Sequence, residues 1–430
     1  MESFLSDARL RAFRRELTPL NAAAARAASS APLDDLCFAA SRVPHTFSLE
    51  IPTLPACDQK ASGRCWIFAG LNLLREKIAR EHKLENLELS QNYLCFYDHL
   101  EKAHTFYRHI LETADSPLED RYVSMRMNLP VGDGGWWEYF AGLCRKYGVV
   151  PKEAMPETYQ SEHTDDMNNL LNRQLRRDAL VLRRAPEDQQ EALVNAMLGR
   201  VYRLLAICLG TPPETFDFEY VDRDRNYHAA RGLTPQTFYD RFIGRNLDNI
   251  VSLLNAPIPS VPFHTTCYTK GEESIFGVYP PKRLNLPLEE FKAAVLRQLR
   301  DGDPVWFVCD CDYYGSKKEG IWDTELFDYE HFLGIEPPLG KGDLLGTRQC
   351  SLNHAMLLTG VNLVDGLPDR WKIQNSWGQE DGNRGYFVMS DRWFDRYVFT
   401  ASIDRKYLTD EENAQFDQEA QVLPPWHVLG

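Results

Sequence analysis

Residues 58–79 read DQKASGRCWIFAGLNLLREKIA. The opening residues are small or polar, and from Cys65 onward Ile67, Phe68, Leu71, Leu74 and Ile78 recur at the i, i+3/i+4 spacing of a helix that buries one face. The spacing predicts a helix over residues 65–79 with Cys65 at its N-terminus. That position has a chemical consequence. A thiol attacks as the thiolate, and the positive end of the helix dipole lowers its pKa. Trp66 and Ile67, directly after it, anchor the helix in the core.

A cysteine nucleophile needs a histidine to take and return its proton, a group to orient that histidine, and donors for the developing oxyanion. Gln59, six positions before Cys65, has an amide suited to donate beside the Cys65 backbone N–H. His354 lies in SLNHAMLLTGV (351–361), at the entrance to an apolar strand. Asn375 lies in IQNSWGQEDGNRGYF (373–387), directly after a strand and 21 residues beyond His354 (375 − 354). Its side-chain carbonyl can fix the imidazole tautomer, with Trp377 shielding that bond from water. Each residue alone has an ordinary structural explanation. Together they supply four functional groups in the order and local contexts that thiol hydrolysis requires.

Outward from these boxes, the chain has 430 residues, 43% hydrophobic and 26% charged, which fits two or three globular units or one domain with a large insertion. The periodicity divides it into an N-terminal helical segment (1–50), a helical part carrying Cys65 (51–160), a helical section with little strand signal (161–255), a β-rich part carrying His354 and Asn375 (256–420) and an apolar arm (421–430). Strands are expected at 304–309, 355–361, 370–374 and 385–389, and helices follow Ser90, span 136–147 and span 288–300.

Lys plus Arg is 48 and Asp plus Glu is 62, a net charge of −14 that disfavours nucleic acid as a partner. The basic run LRRDALVLRR (175–184) reads as an exposed helix face. No apolar run approaches the ~18–20 residues of a membrane span, and the N-terminus lacks a secretory pattern, so no membrane partner is expected. A cytoplasmic location and reduced cysteines follow as expectations, with nine of the ten thiols inert and Cys65 the reactive one. No metal site is expected: Cys309 and Cys311 stand two apart with no zinc-like partners, and CDCDYY reads as a polar turn after a buried strand. GDGG (132–135) lacks the Lys-Ser/Thr of a phosphate loop, so no cofactor is expected either.

The Gln, Cys, His and Asn boxes resemble those of papain-like cysteine peptidases. Cys65 and His354 are 289 apart (354 − 65), against roughly 130–150 in papain-like enzymes, which leaves ~140–160 extra residues between them. With LELSQNYLCFYD, NLPVGDGGWWEYF, KYGVVPKEAMPETY, CLGTPPETFDFEY, VWFVCD, SDRWFDRYVF and LPPWHVLG, the chain resembles the bleomycin hydrolase / aminopeptidase C family over nearly its whole length. The resemblance implies an α+β, papain-like fold with a helical left half, a β-rich right half and a large helical insertion. It implies an intracellular cysteine peptidase that hydrolyses short peptides through a thioester acyl-enzyme, assembled as a homohexamer. Cys65, His354 and Asn375 would be catalytic, Gln59 the oxyanion donor, Trp377 the shield, and Gly134, Gly135, Asn353 and Gly430 substrate-binding.

In that family the C-terminal arm lies along the cleft, and its carboxylate captures the substrate's free amine. Here PWHVLG stops three to four residues before the usual ending, ~10–13 Å of extended chain. The expectation is therefore endopeptidase or oligopeptidase-like cleavage. Release of di- or tripeptides, strict aminopeptidase action and a catalytically inactive hexameric binding particle are the alternatives.

Overall fold

The computed structural model describes residues 5–39, 43–244 and 246–430. Residues 1–4 and 40–42 of the N-terminal segment and residue 245 of the helical section, which the readings above include, lie outside the described residues.

Two central strands hide both faces. In Val305–Cys309, Trp306 and Val308 join a core shared with the helices, while Val305, Phe307 and Cys309 join a second core behind the sheet. The neighbouring strand His354–Val364 divides in the same way, Ala355 and Leu357 against Met356 and Leu358. Successive side chains on a strand point to opposite faces, so a strand with a core on each side is apolar throughout. That is why VWFVC and AMLL are unbroken runs. The two strands pair antiparallel, Ala355 opposite Val308, within a 12-stranded sheet.

His354–Val364 also pairs with Leu367–Gln374 through a two-residue loop, Asp365-Gly366, whose φ values of 51° and 85° are those of a type I′ hairpin turn. Leu357 stands opposite Gln374, so the hairpin returns the chain to its own start and sets Asn375 beside His354. The 21-residue spacing of the two boxes is the length of this hairpin.

The helices Cys65–Glu81, Gln91–Glu112 and Trp137–Tyr147 form the opposite layer. Ser90 caps the second, its Oγ accepting from the Tyr93 N–H at 3.0 Å. Gly148 ends the third at φ 72°, where a Cβ would stand 2.4 Å from the backbone of Pro235.

The section 161–255 carries more strand than the expected helical reading with little strand signal. Asp165–Leu182 and Glu187–Leu209 are helices packed on Gln91–Glu112, but Phe216–Val221 and Tyr227–Leu233 form a separate β-hairpin. Ile250–Leu254 is a strand of the main sheet, so the β-rich part starts before residue 256. The first of these strands alternates Phe216, Phe218 and Tyr220 with exposed Asp217 and Glu219, the two-residue period of a strand with one covered face. The basic run 175–184 is partly structural: Leu175, Ala179 and Leu182 are buried, and Arg176 and Arg183 donate to the carbonyls of Met127 and Thr113.

One helix is apolar in composition without an unbroken apolar run along its length. Glu187–Leu209 has 23 residues and a window of mean hydropathy 1.5, enough by length and composition alone to cross a membrane. Its buried residues are Val194, Met197, Val201, Leu205 and Leu209, one stripe at i, i+3/i+4 spacing, as on a helix that lies against a protein core.

Candidate active site

The cysteine loop is laced to the asparagine loop by two backbone hydrogen bonds, which together make one antiparallel bridge. Gln59 N–H donates to Ser376 O at 2.8 Å and Gly378 N–H donates to Cys57 O at 3.0 Å, which pairs Asp58 with Trp377. One step further, the Trp306 indole donates to the Trp66 carbonyl at 3.2 Å, which fastens the first turn of the helix to the sheet. Cys65 is thereby held at the junction of the two layers. The Ala355 N–H, one residue past His354, points at the Cys65 Sγ at 3.4 Å.

His354 Nε2 lies 2.9 Å from Asn375 Oδ1. The same Oδ1 accepts from the Ser376 N–H at 2.8 Å, which fixes that atom as the amide oxygen. Nε2 must then carry the imidazole hydrogen, leaving Nδ1 with its lone pair for a proton from elsewhere. Trp377 stacks on the imidazole, centroids 4.8 Å apart and planes 23° from parallel, and covers it on one side.

Burial pushes the Cys65 thiol up to about 11, against the pull of the N–H groups of Ala355, Trp66 and Cys65 itself. Burial pushes the His354 imidazole down to about 4, against the bond to Asn375. Both directions favour an uncharged thiol–imidazole pair at rest.

Gln59 is buried, and its amide is oriented by its partners: Oε1 accepts from Ser376 Oγ and Nε2 donates to Ser62 O, both at 2.6 Å. One Nε2 hydrogen remains. Gln59, Asn375 and Trp377 stand outside the wall of a cavity of about 400 Å³ that Cys65, His354, Gly134, Gly135, Asn353 and Gly430 line together. A larger cavity, about 490 Å³, opens at the far end of the Cys65–Glu81 helix around Lys77, Arg80 and Lys83, and contains none of these residues.

The two glycines differ. A Cβ on Gly134 would meet nothing within 4 Å, whereas one on Gly135 would stand 2.5 Å from the Trp66 ring. Gly134 is open, and Gly135 must be glycine to lie on the indole. Asn353 lines the cavity, but its side chain is spent on the neighbouring loop. Its Nδ2 donates to Asp310 and Asp312 at 2.8 Å each, and its Oδ1 accepts from the Cys311 N–H at 3.0 Å. Its N–H likewise donates to the Cys309 carbonyl at 3.1 Å, which leaves its own carbonyl as the group it can offer to the cavity. The sequence reading missed Glu272 and Tyr139, which also line the cavity, and Asp133, which receives the Gly63 N–H at 2.7 Å two residues before Cys65. Asp133 lies inside the quoted GDGG, where its flanking glycines drew the attention instead.

The chain matches the Peptidase C1-like family over residues 5–430. It is 42% identical to aminopeptidase C of Listeria monocytogenes serovar 1/2a over 386 residues, 89% of this chain and 88% of that one. It is 38% identical to aminopeptidase W of Lactobacillus delbrueckii subsp. lactis over 434 residues, 99% of each chain. The crystal structure of pepw from lactobacillus rhamnosis hn001 superimposes with a TM-score of 0.97 at 39% identity, covering 100% of this chain and 99% of that one. The architecture is accordingly α+β and papain-like.

Proposed function

The chain belongs to the Peptidase C1-like family and is a cysteine peptidase of the aminopeptidase C type, and from that premise we propose that it removes residues from the free amino ends of peptides. The observation that carries the reading is the pair His354–Asn375, hydrogen-bonded and covered by Trp377, with the Cys65 Sγ at the N–H of Ala355 next to His354, at the edge of a cavity that the C-terminal arm also enters. His354 Nδ1 takes the Cys65 proton, and the thiolate attacks the scissile carbonyl carbon. The Cys65 N–H and the free Gln59 Nε2 hydrogen stabilise the oxyanion. The imidazolium, held through Nε2 by Asn375, returns the proton to the leaving amine. Water then hydrolyses the thioester with His354 as base.

Aminopeptidase action, an alternative in the sequence reading, is better supported than the endopeptidase-like cleavage expected from the arm. The relatives are named aminopeptidases C and W, and Pro425 and Gly430 line the same cavity as Cys65. Product mapping on free and amine-blocked peptides tests the reading: single residues should leave from the free amino end, and internal fragments would refute it.

The thiol–imidazole pair gives a pH prediction. Ion-pair formation moves one proton between the partners without changing their total, so the one-proton state is the active one. A second proton, taken up on the acid side, traps His354 before it can receive the thiol proton. With the imidazole held down at about 4, the acid limb of kcat/KM is expected well below the ordinary imidazole value of about 6.5, followed by a broad plateau. An acid limb at 6.5 would contradict the burial argument.

The homohexamer is part of the proposal. Helices Asp7–Glu16 and Pro19–Ala28 bury none of their residues, and Leu10, Phe13, Leu17 and Leu20 stand exposed, an apolar strip suited to a second copy. Sedimentation as a 49.5 kDa monomer would count against it.

A further inference from the structure

Three successive carbonyls of the glycine loop turn toward the protein interior. Gly132 O and Gly134 O accept from Lys102 Nζ at 2.8 and 2.6 Å, and between them Asp133 O accepts from the Trp66 indole at 2.6 Å. No peptide bond in the described residues is cis. In a trans peptide unit the carbonyl of one residue and the N–H of the next point in opposite directions. With the carbonyls of residues 132, 133 and 134 held inward, the N–H groups of Asp133, Gly134 and Gly135 are turned the other way. Away from those carbonyls lies the Cys65 cavity, which Gly134 and Gly135 line, and a Cβ on Gly134 would meet no atom within 4 Å.

Lys102 is 8% exposed, and all three hydrogens of its ammonium are assigned, two to the loop and one to Asp98 Oδ2 at 2.6 Å. The Lys102 ammonium also lies 5.4 Å from the centre of the Trp66 ring, the ring that backs Gly135. From the other side the Asp133 carboxylate ties the loop to Gly63 N–H at 2.7 Å and to Thr164 and Asn168 at 2.5 and 2.7 Å. Burial opposes that carboxylate's charge, but His99 and the bonds from Thr164 and Asn168 hold its pKa far below the usual carboxylate range. One loop is thus fixed to both the cysteine segment and the helix Asp165–Leu182 that follows Thr164.

We infer that Lys102 is a positioning residue for substrate binding: from behind the wall it turns the carbonyls of Gly132 and Gly134 inward, so that the loop's N–H donors face the carbonyls of an extended peptide. The inference rests on the peptidase reading above and deepens it. A plain counter-ion to Asp98 would be indifferent to where the loop carbonyls point.

The test uses Lys102→Met combined with Asp98→Asn, which removes the loop anchor without leaving a buried charge unpaired. Steady-state cleavage of a free-amine peptide is read beside the rate of Cys65 inactivation by iodoacetamide, a reagent too small to need the wall. The double variant is expected to raise KM about tenfold or more, with kcat and the alkylation rate within about threefold of the parent. Lys102→Gln combined with the same Asp98→Asn, which keeps a donor toward the carbonyls, should raise KM by between about twofold and about tenfold, and it decides alone if the Met variant does not fold. A KM within twofold of the parent in the variant that is read overturns the inference, as does a joint fall of kcat and alkylation rate. Parent enzyme and Cys65→Ala are run in parallel. Absence of Cys65-dependent cleavage in the parent overturns the peptidase reading, an outcome distinct from an unchanged KM.

Discussion

Replacing Cys65 by Ala is expected to lower kcat/KM on peptides by about 10⁵-fold or more, the scale of removing the nucleophile from a group of residues that act as a unit. The loss is expected in kcat. The cavity keeps its wall, because Cys65 contributes only a thiol and a backbone N–H to it, while the helix remains fastened through Trp66 to Trp306 and Asp133. Cys65→Ser should be nearly as inactive. A hydroxyl is a far weaker acid than a thiol, and His354, held down by burial to about 4, is a feeble base toward it. Residual cleavage above about 1% of the parent in either variant, measured on protein free of contaminating peptidase, would remove Cys65 from the mechanism. The other nine cysteines serve as the internal control. Burial pushes Cys57 and Cys267 up to about 11 as well, yet neither has a histidine at its side, and their replacement should leave kcat unaffected.

The catalytic set was legible because each member sits where local sequence fixes geometry. Cys65 starts a strongly periodic helix, and His354 and Asn375 stand at the open end of one hairpin whose turn, Asp365-Gly366, is itself written in the sequence. What was not legible depends on contacts between distant segments. Nothing around Lys102 marks it apart from other lysines on a helix, since its partners are carbonyls 30 and 32 residues away. Asn353 is a similar case: its neighbour in sequence is His354, but its side chain answers to Asp310 and Asp312 across the strand pair. The hairpin at 216–233 carries a legible signal, Phe216, Phe218 and Tyr220 alternating with Asp217 and Glu219, but the segment is short and the long helices before it set the reading. Burial, similarly, has no local signature. The long helix Glu187–Leu209 scatters its charges enough to escape a search for runs, and only its neighbours show which stripe is covered.

N-acetylation of a good peptide substrate is expected to lower kcat/KM by about 100-fold or more. Two physical effects combine. The arm is firmly seated: Gln421–Leu423 adds to the sheet beside Thr265–Thr269, Arg348 donates to the Trp426 carbonyl at 2.6 Å, Arg121 lies 4.1 Å from the Trp426 ring centre, and Leu429 is buried. Gly430 abuts Thr269 and, with Pro425, takes up part of the cavity that holds Cys65 and His354, so chain beyond the substrate's first residues has little room. The second effect is charge. Glu272 lines the same cavity, its carboxylate shared with the Arg283 guanidinium at 3.4 Å, and an arriving ammonium is favoured beside that carboxylate where an acetamide is not. A hydrogen bond to a charged group is worth about 1.5–3 kcal/mol, or roughly 10- to 150-fold, before any steric cost of the acetyl group. Deleting residues 424–430 separates the two effects. If the arm sets the limit, the shortened enzyme should cut acetylated peptides and yield internal fragments; if Glu272 dominates, discrimination against the blocked amine should survive the deletion and weaken in Glu272→Gln. Equal cleavage of free and acetylated peptides by the intact chain would refute the aminopeptidase proposal and return the endopeptidase reading to favour.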